Sequence, residues 1–134
     1  MNENKAITSP LELEQQAFKL RDEGKIIEAI VLLQELLERE PSWEHGYGAF
    51  LLAACLEDTN QITQAERYYQ IALSYASEDR IILGSYASFL YLHSSALEAY
   101  NAFEELLKIE LKEGISNAED TKRILAKLGA EINS

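Results

Sequence analysis

The chain has 134 residues with 23 acidic and 12 basic side chains, so its net charge at pH 7 is −11. This charge opposes direct nucleic-acid binding, because that function needs a basic face to displace counterions. No stretch approaches the ~20 consecutive apolar residues of a membrane span, so we expect no membrane partner.

Residues 1–10 contain no apolar run behind a basic segment, so we expect no signal peptide. The only cysteine, Cys55, cannot form an internal disulfide, which favours a reducing compartment. It lies in an apolar run, and we interpret it as a small core residue. These features predict a cytoplasmic protein.

Residues 1–8 are predicted to be disordered or loosely attached, and residues 9–134 to form one domain. Ser9 begins the first helix, because its side chain can cap free N–H groups while Glu12 completes a capping box. Pro10 suits the first helical position. The pattern predicts seven helices, at about residues 10–22, 26–38, 43–57, 63–75, 78–92, 96–112 and 118–128.

Polar and special residues mark the predicted helix ends. Pro41 closes the second helix, because proline cannot continue it. We expect Ser42, Ser77 and Asn117 to cap the third, fifth and last helices. Gly129 is expected to end the last helix.

Gly46 and Gly48 fall inside the third predicted helix. Each glycine costs ~1 kcal/mol in a helix interior relative to alanine. Two explanations are open. Either the helix begins near Tyr47, or the small residues allow a close approach by a neighbouring helix or a ligand.

One arrangement of small and large residues occurs three times along the chain. Its first copy is Leu13, Ala17, Leu20, Gly24, Ala29, Leu33, Leu36 and Pro41. Its second copy is Ala49, Ala53, Leu56, Asn60, Ala65, Tyr69, Ala72 and Ser77. Its third copy is Leu83, Ala87, Leu90, Ser94, Ala99, Phe103, Leu106 and Leu111. A period of about 34 residues with two helices per copy is typical of a helical repeat array.

At these residues the chain resembles a tetratricopeptide-repeat protein. The match covers about residues 10–111, but the second and third copies lack the turn glycine and final proline, and a two-residue insertion lies near residues 42–46. The resemblance implies an all-α, right-handed solenoid of helical hairpins. Its repeats lie at about 10–43, 44–79 and 80–113, and a C-terminal helix at about 117–129 caps the array.

Motifs for enzyme chemistry are missing from the sequence. There is no HExxH, no CxxC, no phosphate-cradling glycine loop and no G-x-S-x-G elbow. His45 and His93 have no carboxylate at ligand spacing on one helix face. Adjacent carboxylates such as Glu104 and Glu105 diverge by about 100° around a helix. We therefore expect no enzyme activity, no catalytic residue, no metal and no cofactor.

Charge and aromatic residues are unevenly distributed. Between Glu40 and Leu107 there are ten acidic residues and only two basic ones, Arg67 and Arg80, and all seven tyrosines lie in this segment. Two explanations are open. One is a solvated acidic surface that aids solubility, and the other is an acidic, aromatic surface that binds a basic partner.

The first helix of each repeat lines the concave face of such an array, which we predict to bind a partner. Tyr47 and Tyr91 favour binding, because a tyrosine tolerates one wet end. The convex helices, which carry Tyr68, Tyr75 and Tyr100, are the alternative surface. The predicted partner-binding residues are Glu14, Phe18, Tyr47, Phe50, Leu51, Glu57, Asp58, Ile81, Ser85, Ser88 and Tyr91.

Some tetratricopeptide proteins clamp the C-terminal carboxylates of heat-shock chaperones with lysine, asparagine and arginine on this face. Here the corresponding residues are acidic, apolar or hydroxyl-bearing, so the resemblance does not extend to the clamp. They are Glu14, Phe18, Leu51, Ile81 and Ser85.

These observations favour a non-catalytic protein-interaction module with a basic protein partner. The concrete hypothesis is an immunity-type protein that neutralises a basic toxin domain, because an acidic inhibitor gains association rate from the field of a phosphate-binding toxin. The alternative is a chaperone of a secreted protein, which would hold a client segment in the concave groove.

Overall fold

The computed structural model describes residues 9–115 and 118–134. Within them the chain forms seven α-helices, one short 3-10 helix at Trp43–Gly46, and no strand, so the predicted all-α fold is confirmed. The expectations for residues 1–8 and for Asn117 lie outside the described residues. The helices are α1 Pro10–Asp22, α2 Ile26–Arg39, α3 Tyr47–Asp58, α4 Ile62–Tyr75, α5 Arg80–His93, α6 Ala96–Glu113 and α7 Ala118–Ile132.

The capping box at the start of α1 is confirmed. The backbone N–H of Glu12 donates to Ser9 Oγ at 3.2 Å, and the backbone N–H of Ser9 donates to Glu12 Oε1 at 2.9 Å. Pro10 occupies the first helical position, where no N–H is needed. Local sequence alone therefore determines where α1 begins.

Two predicted helix ends were wrong. Asp79, not Ser77, caps α5, because its carboxylate lies one residue before the helix and accepts the N–H groups of Ile81 and Ile82 at 2.9 and 3.0 Å. Gly129 does not end α7, which continues to Ile132. The helix passes through this glycine because Ala130 and Glu131 are strong helix formers.

An alanine sits at the crossing of each helical hairpin. Ala29, Ala65 and Ala99 have no exposed surface, as the repeat pattern predicts. A side chain that ends at Cβ lets two helices approach closely. Large buried side chains such as Leu36, Leu52 and Phe89 fill the adjoining space.

Contacts between Cα atoms divide the chain into two compact units, one ending at Tyr75 and the other starting at Ala76. In the first unit α1 packs on α2, α2 on α3 and α3 on α4. In the second unit α5 packs on α6 and α6 on α7. The last helix buries Ala118, Thr121 and Leu128, as expected of a capping helix.

The connection between α2 and α3 contains a left-handed turn. Glu44, His45 and Gly46 have φ values of 50°, 55° and 95°. For a residue with a side chain, this conformation costs about 1–2 kcal/mol. The turn coincides with the predicted insertion, and Ser42 forms no side-chain cap there, contrary to expectation. Gly46 instead precedes α3 as its N-cap residue.

Both explanations for the two glycines are correct. The α-helix begins at Tyr47. A Cβ at Gly46 would lie 2.7 Å from the carbonyl oxygen of Ala72 on α4, and a Cβ at Gly48 would lie 3.2 Å from the side chain of Trp43. The glycines therefore let α3 and its turn pack directly against neighbouring residues.

Replacing Ala65 with leucine should destabilise the fold by about 1–3 kcal/mol, because the closed helix crossing has no room for a larger side chain. Chemical denaturation measures the change. Ala126, which is exposed on α7, provides the control, and Ala126→Leu should leave stability nearly unchanged. Equal stability of the two variants would contradict the close crossing.

Gly46→Ala should destabilise the protein more than Gly24→Ala does. Both glycines have positive φ, but a Cβ at Gly24 meets nothing within 4 Å, whereas one at Gly46 meets the Ala72 carbonyl. We expect about 1–2 kcal/mol for Gly24→Ala from backbone strain alone. Gly46→Ala should add about 1–3 kcal/mol from overpacking. Thermal melts of the two variants would show whether α4 approaches the turn this closely.

Candidate functional site

In the first unit an aromatic row leads from the surface towards the core. Tyr47 is 38% exposed, and its ring lies 5.6 Å from that of Phe50, centroid to centroid. Phe50 is half-buried, and its ring lies 6.2 Å from that of the buried Tyr69. Phe18 on α1 is also 38% exposed. Phe18 and Tyr47 are thus the predicted aromatic residues of this unit that reach solvent.

Leu51 and Glu14 are buried rather than open to a partner, with 6% and 7% of their surface exposed. They lie beside Leu33 and Cys55 around a cavity of only about 10 Å³. That volume holds about one water molecule. Leu51 therefore belongs to the core together with Ala17 and Leu33 and is not part of an open binding surface.

Glu57 and Asp58 bond within the first unit. The Tyr69 hydroxyl donates to Glu57 Oε1 at 2.7 Å, and Arg21 forms an ion pair with Asp58 at 3.6 Å. Burial, and then the Glu57 carboxylate, raise the pKa of Tyr69. Reversing both charges would disturb the fold as well as the surface charge, because Glu57→Lys removes a hydrogen-bond acceptor from the buried Tyr69.

In the second unit the predicted residues share one face of α5. Ile81, Ser85, Ser88 and Tyr91 follow one another at helical spacing. Ser85 is half-buried, and the other three are exposed. This face borders a groove formed by α5, α6 and α7.

The α5–α7 groove has a volume of about 330 Å³. Its walls are mainly apolar, and polar groups lie at the rim, which is the usual composition of a binding site. The Tyr91 hydroxyl donates to Glu131 Oε2 at 3.3 Å. The lining residues are Ser88, Tyr91, Leu92, Phe103, Ile124, Lys127, Leu128 and Glu131.

The residues of α7 in this groove were missing from the predicted site. Ile124, Lys127 and Glu131 recur at spacings of three and four, which places them on one face of the helix. This spacing was the feature of the sequence that could have identified them as groove residues. We interpreted α7 only as a cap, although a capping helix also forms one wall of the groove beside it.

A second, smaller groove lies between α2 and α4 in the first unit. It has a volume of about 180 Å³ and is lined by Leu37, Pro41, Tyr68 and Ile71, among others. This is the region of the alternative convex surface. Tyr68 is half-buried there, whereas Tyr75, at the end of α4, is 44% exposed.

The buried carboxylate of Glu14 accepts a hydrogen bond from Trp43 Nε1 at 3.0 Å. Burial raises the pKa of Glu14, and the nearby Glu44 carboxylate raises it further, whereas the bond from Trp43 lowers it. A buried carboxylate beside a second carboxylate favours its protonated form. This site therefore links the left-handed turn to α1 through a group that can change its charge.

Cys55 is buried, as predicted, and burial raises the pKa of its thiol, so the reactive thiolate is disfavoured. Across residues 9–115 and 118–134, no group of three or more His, Cys, Asp or Glu side chains is arranged to hold a metal ion. Helices in the same part of the chain are all too short or too polar to cross a membrane.

No protein-family model and no curated protein sequence matches the chain. Solved structures do. The first tetratricopeptide-repeat domain of Spaghetti (RPAP3), bound to an HSP90 peptide, is 18% identical with a TM-score of 0.75, over 93% of this chain and 96% of that one. The TPR2B domain of yeast Sti1, in a complex with pHsp70, is 14% identical with a TM-score of 0.76, over 91% and 97%.

The type III secretion chaperone SycD of Yersinia enterocolitica, in complex with a peptide of the translocator YopD, is 18% identical. Its TM-score is 0.74, over 90% of this chain and 92% of that one. The TM-scores of these three structures establish the fold, whereas identities of 14–18% do not identify the partner. The chain therefore has the fold of a tetratricopeptide-repeat domain, as its repeated residues predicted, and α7 follows the last hairpin.

Proposed function

We propose that this chain is a non-catalytic protein-interaction module that holds a segment of a basic protein partner. The α5–α7 groove is the observation that carries the proposal. Its volume of about 330 Å³ suits several side chains of a bound segment. Tyr91 and Leu92 border it with 44% and 67% of their surface exposed. Exposing apolar area of this kind to water is unfavourable in free energy, and a partner that covers it removes this penalty.

The charge of the second unit supports a basic partner. Residues 76–134 contain ten acidic and six basic side chains, a surplus of four negative charges. Five of the six basic side chains form ion pairs with acidic groups of the same unit, and the sixth, Lys127, lines the groove together with Glu131. A negative surface speeds the association of a positive partner.

The similar structures support the binding of a peptide segment by this chain, but the charge of that segment is proposed to differ. The HSP90 peptide in the Spaghetti structure is SRMEEVD, which contains three acidic residues. The present chain has no lysine between Lys25 and Lys108. The chain as a whole carries a net charge of −11, which repels an acidic tail and attracts a basic segment.

Two biological roles follow from this chemistry. In the first, the chain is an immunity-type protein that covers and neutralises a basic toxin domain, and its net charge of −11 supports this role. In the second, it is a chaperone that holds a segment of a secreted protein. The likeness to SycD, solved with a peptide of a translocator, supports the second role.

The remaining predicted surface lies in the first unit. Phe18 and Tyr47 are exposed there and are proposed as further partner contacts. Glu14, Phe50, Leu51, Glu57 and Asp58 support the surface from beneath or beside it, through the packing and bonds described above.

Leu92→Asp should weaken partner binding at least tenfold, because a charge in an apolar groove resists desolvation. Leu97 is an exposed leucine of the same unit that does not line the groove, so Leu97→Asp is the matched control. The full chain and both variants serve as bait, and mass spectrometry identifies the partner retained by wild type. Surface-based kinetics then measure each affinity.

The same kinetics test the charge. Association should slow as salt rises, since charges separated by more than about 8–10 Å are screened at physiological ionic strength. If Leu92→Asp and Leu97→Asp bind the partner equally well, the α5–α7 groove is not the binding site. If only Tyr68→Ala abolishes binding, the binding site lies in the groove between α2 and α4. If the partner arrests cell growth and co-expression of the chain restores growth, the chain is an immunity protein. If the partner is secreted and is degraded when the chain is absent, the chain is a chaperone.

A further inference from the structure

The two helices that form the walls of the α5–α7 groove carry none of the negative surplus of the chain. Helix α5 has one basic residue and no acidic one, and α7 has three of each, so together they have a formal net charge of +1. Helix α6, in contrast, has five acidic and two basic residues. Two copies of a chain with a net charge of −11 repel each other. The α5–α7 face is therefore a surface of the second unit where two copies can meet with little local repulsion.

The same face exposes large apolar side chains. Ile81 and Leu92 on α5 are each 67% exposed, more than any other large apolar side chain in the described residues. They are separated by about 17 Å along the helix axis. On the other wall of the groove, Ile124 of α7 is 39% exposed. An apolar surface of this length is typical of a protein–protein contact.

Lys127 and Glu131 lie beside this apolar surface and retain capacity for further bonds. Five of the six basic side chains in the described part of the second unit form ion pairs, and Lys127 is the one that forms none. A lysine four residues before a glutamate is the less favourable order for a pair within one helix. Glu131 accepts the Tyr91 hydroxyl at 3.3 Å, and a carboxylate can accept several hydrogen bonds. Both charges are therefore available to a group from another molecule.

We propose that two copies of this chain associate through their α5–α7 faces about a two-fold axis. The two α7 helices run antiparallel, and the axis lies at the level of Gly129, midway between Lys127 and Glu131. These two residues are about 6 Å apart along the helix, so each lies equally far from the axis. Lys127 of each copy then pairs with Glu131 of the other, because a two-fold interface repeats every contact reciprocally. The exposed surfaces of Leu92 and Ile124 become buried between the copies.

Apolar burial and charge pairing have different roles in this dimer. Burial of the apolar surface supplies the affinity, whereas exposed ion pairs contribute little affinity and instead fix the orientation of the two copies. The inference goes beyond the proposed protein partner and does not depend on it, since it concerns copies of the same chain. A second copy over the groove excludes any other segment, so a protein partner would bind the monomer.

Charge reversals in the full chain test the reciprocal pairing. Sedimentation velocity over about 1 µM to 1 mM should show a wild-type dimer that dissociates on dilution. Lys127→Glu and Glu131→Lys each bring like charges together at both contacts, so each variant alone should dimerise at least about tenfold more weakly. An equal mixture of the two variants should recover the dimer, because both contacts of the mixed dimer then join opposite charges.

A second ion pair on α7 provides matched controls. Lys122 and Glu119 are paired at 3.1 Å and do not line the groove. Lys122→Glu and Glu119→Lys make the same changes in net charge and should leave the dimer unchanged, alone or mixed. Circular dichroism verifies that each variant keeps its helices.

A wild-type chain that stays monomeric over the whole concentration range would overturn the inference. So would a dimer that neither reversal weakens, a mixture that does not recover the dimer, or equal weakening by Lys122→Glu. If a reversal does not fold, Leu92→Asp tests the same face from α5, with Leu97→Asp as its control. A dimer that is unchanged in Leu92→Asp would also contradict an interface at the α5–α7 face.

Discussion

Each helical hairpin closes over an alanine that has no exposed surface, and the remaining packing depends on this contact. Ala29, Ala65 and Ala99 lie on the second helix of each hairpin, where Leu36, Tyr69 and Phe103 are also buried. Once one face of each first helix is committed to its hairpin partner, the opposite face is fixed by helical geometry. The exposed face of α5, and with it one wall of the groove, therefore results from a core constraint.

The two units use their polar groups differently. In the first unit, Glu14, Glu57 and Asp58 bond to Trp43, Tyr69 and Arg21. Only Glu14 is buried, and a carboxylate that leaves water requires compensating bonds; Glu57 is half-buried and Asp58 is exposed. An acidic residue on a first helix is thus weak evidence for contact with a partner. An apolar groove is stronger evidence, since Leu92 and Ile124 line it with 67% and 39% of their surface exposed.

The sequence was sufficient for features that depend on residues close in the chain or on a repeated spacing. The capping box at Ser9 and the buried alanines are of this kind. It was insufficient where two nearby residues can play the same role. Both Ser77 and Asp79 can cap a helix, and Asp79 caps α5. The left-handed turn was also beyond it, because Gly46 signals an unusual backbone but not that Glu44 and His45 share it. The role of α7 was missed because this helix belongs to no repeat.

The α5–α7 groove carries one acidic and one basic side chain on α7, Glu131 and Lys127. The Tyr91 hydroxyl lies 3.3 Å from Glu131, which is longer than a strong bond to a carboxylate. A carboxylate accepts several hydrogen bonds, so Glu131 retains capacity for a charged donor. Lys127, four residues earlier on α7, is a neighbour of Glu131 on the same helix face. The rim of the groove therefore offers a positive and a negative group side by side, next to the exposed apolar surface of Leu92 and Ile124.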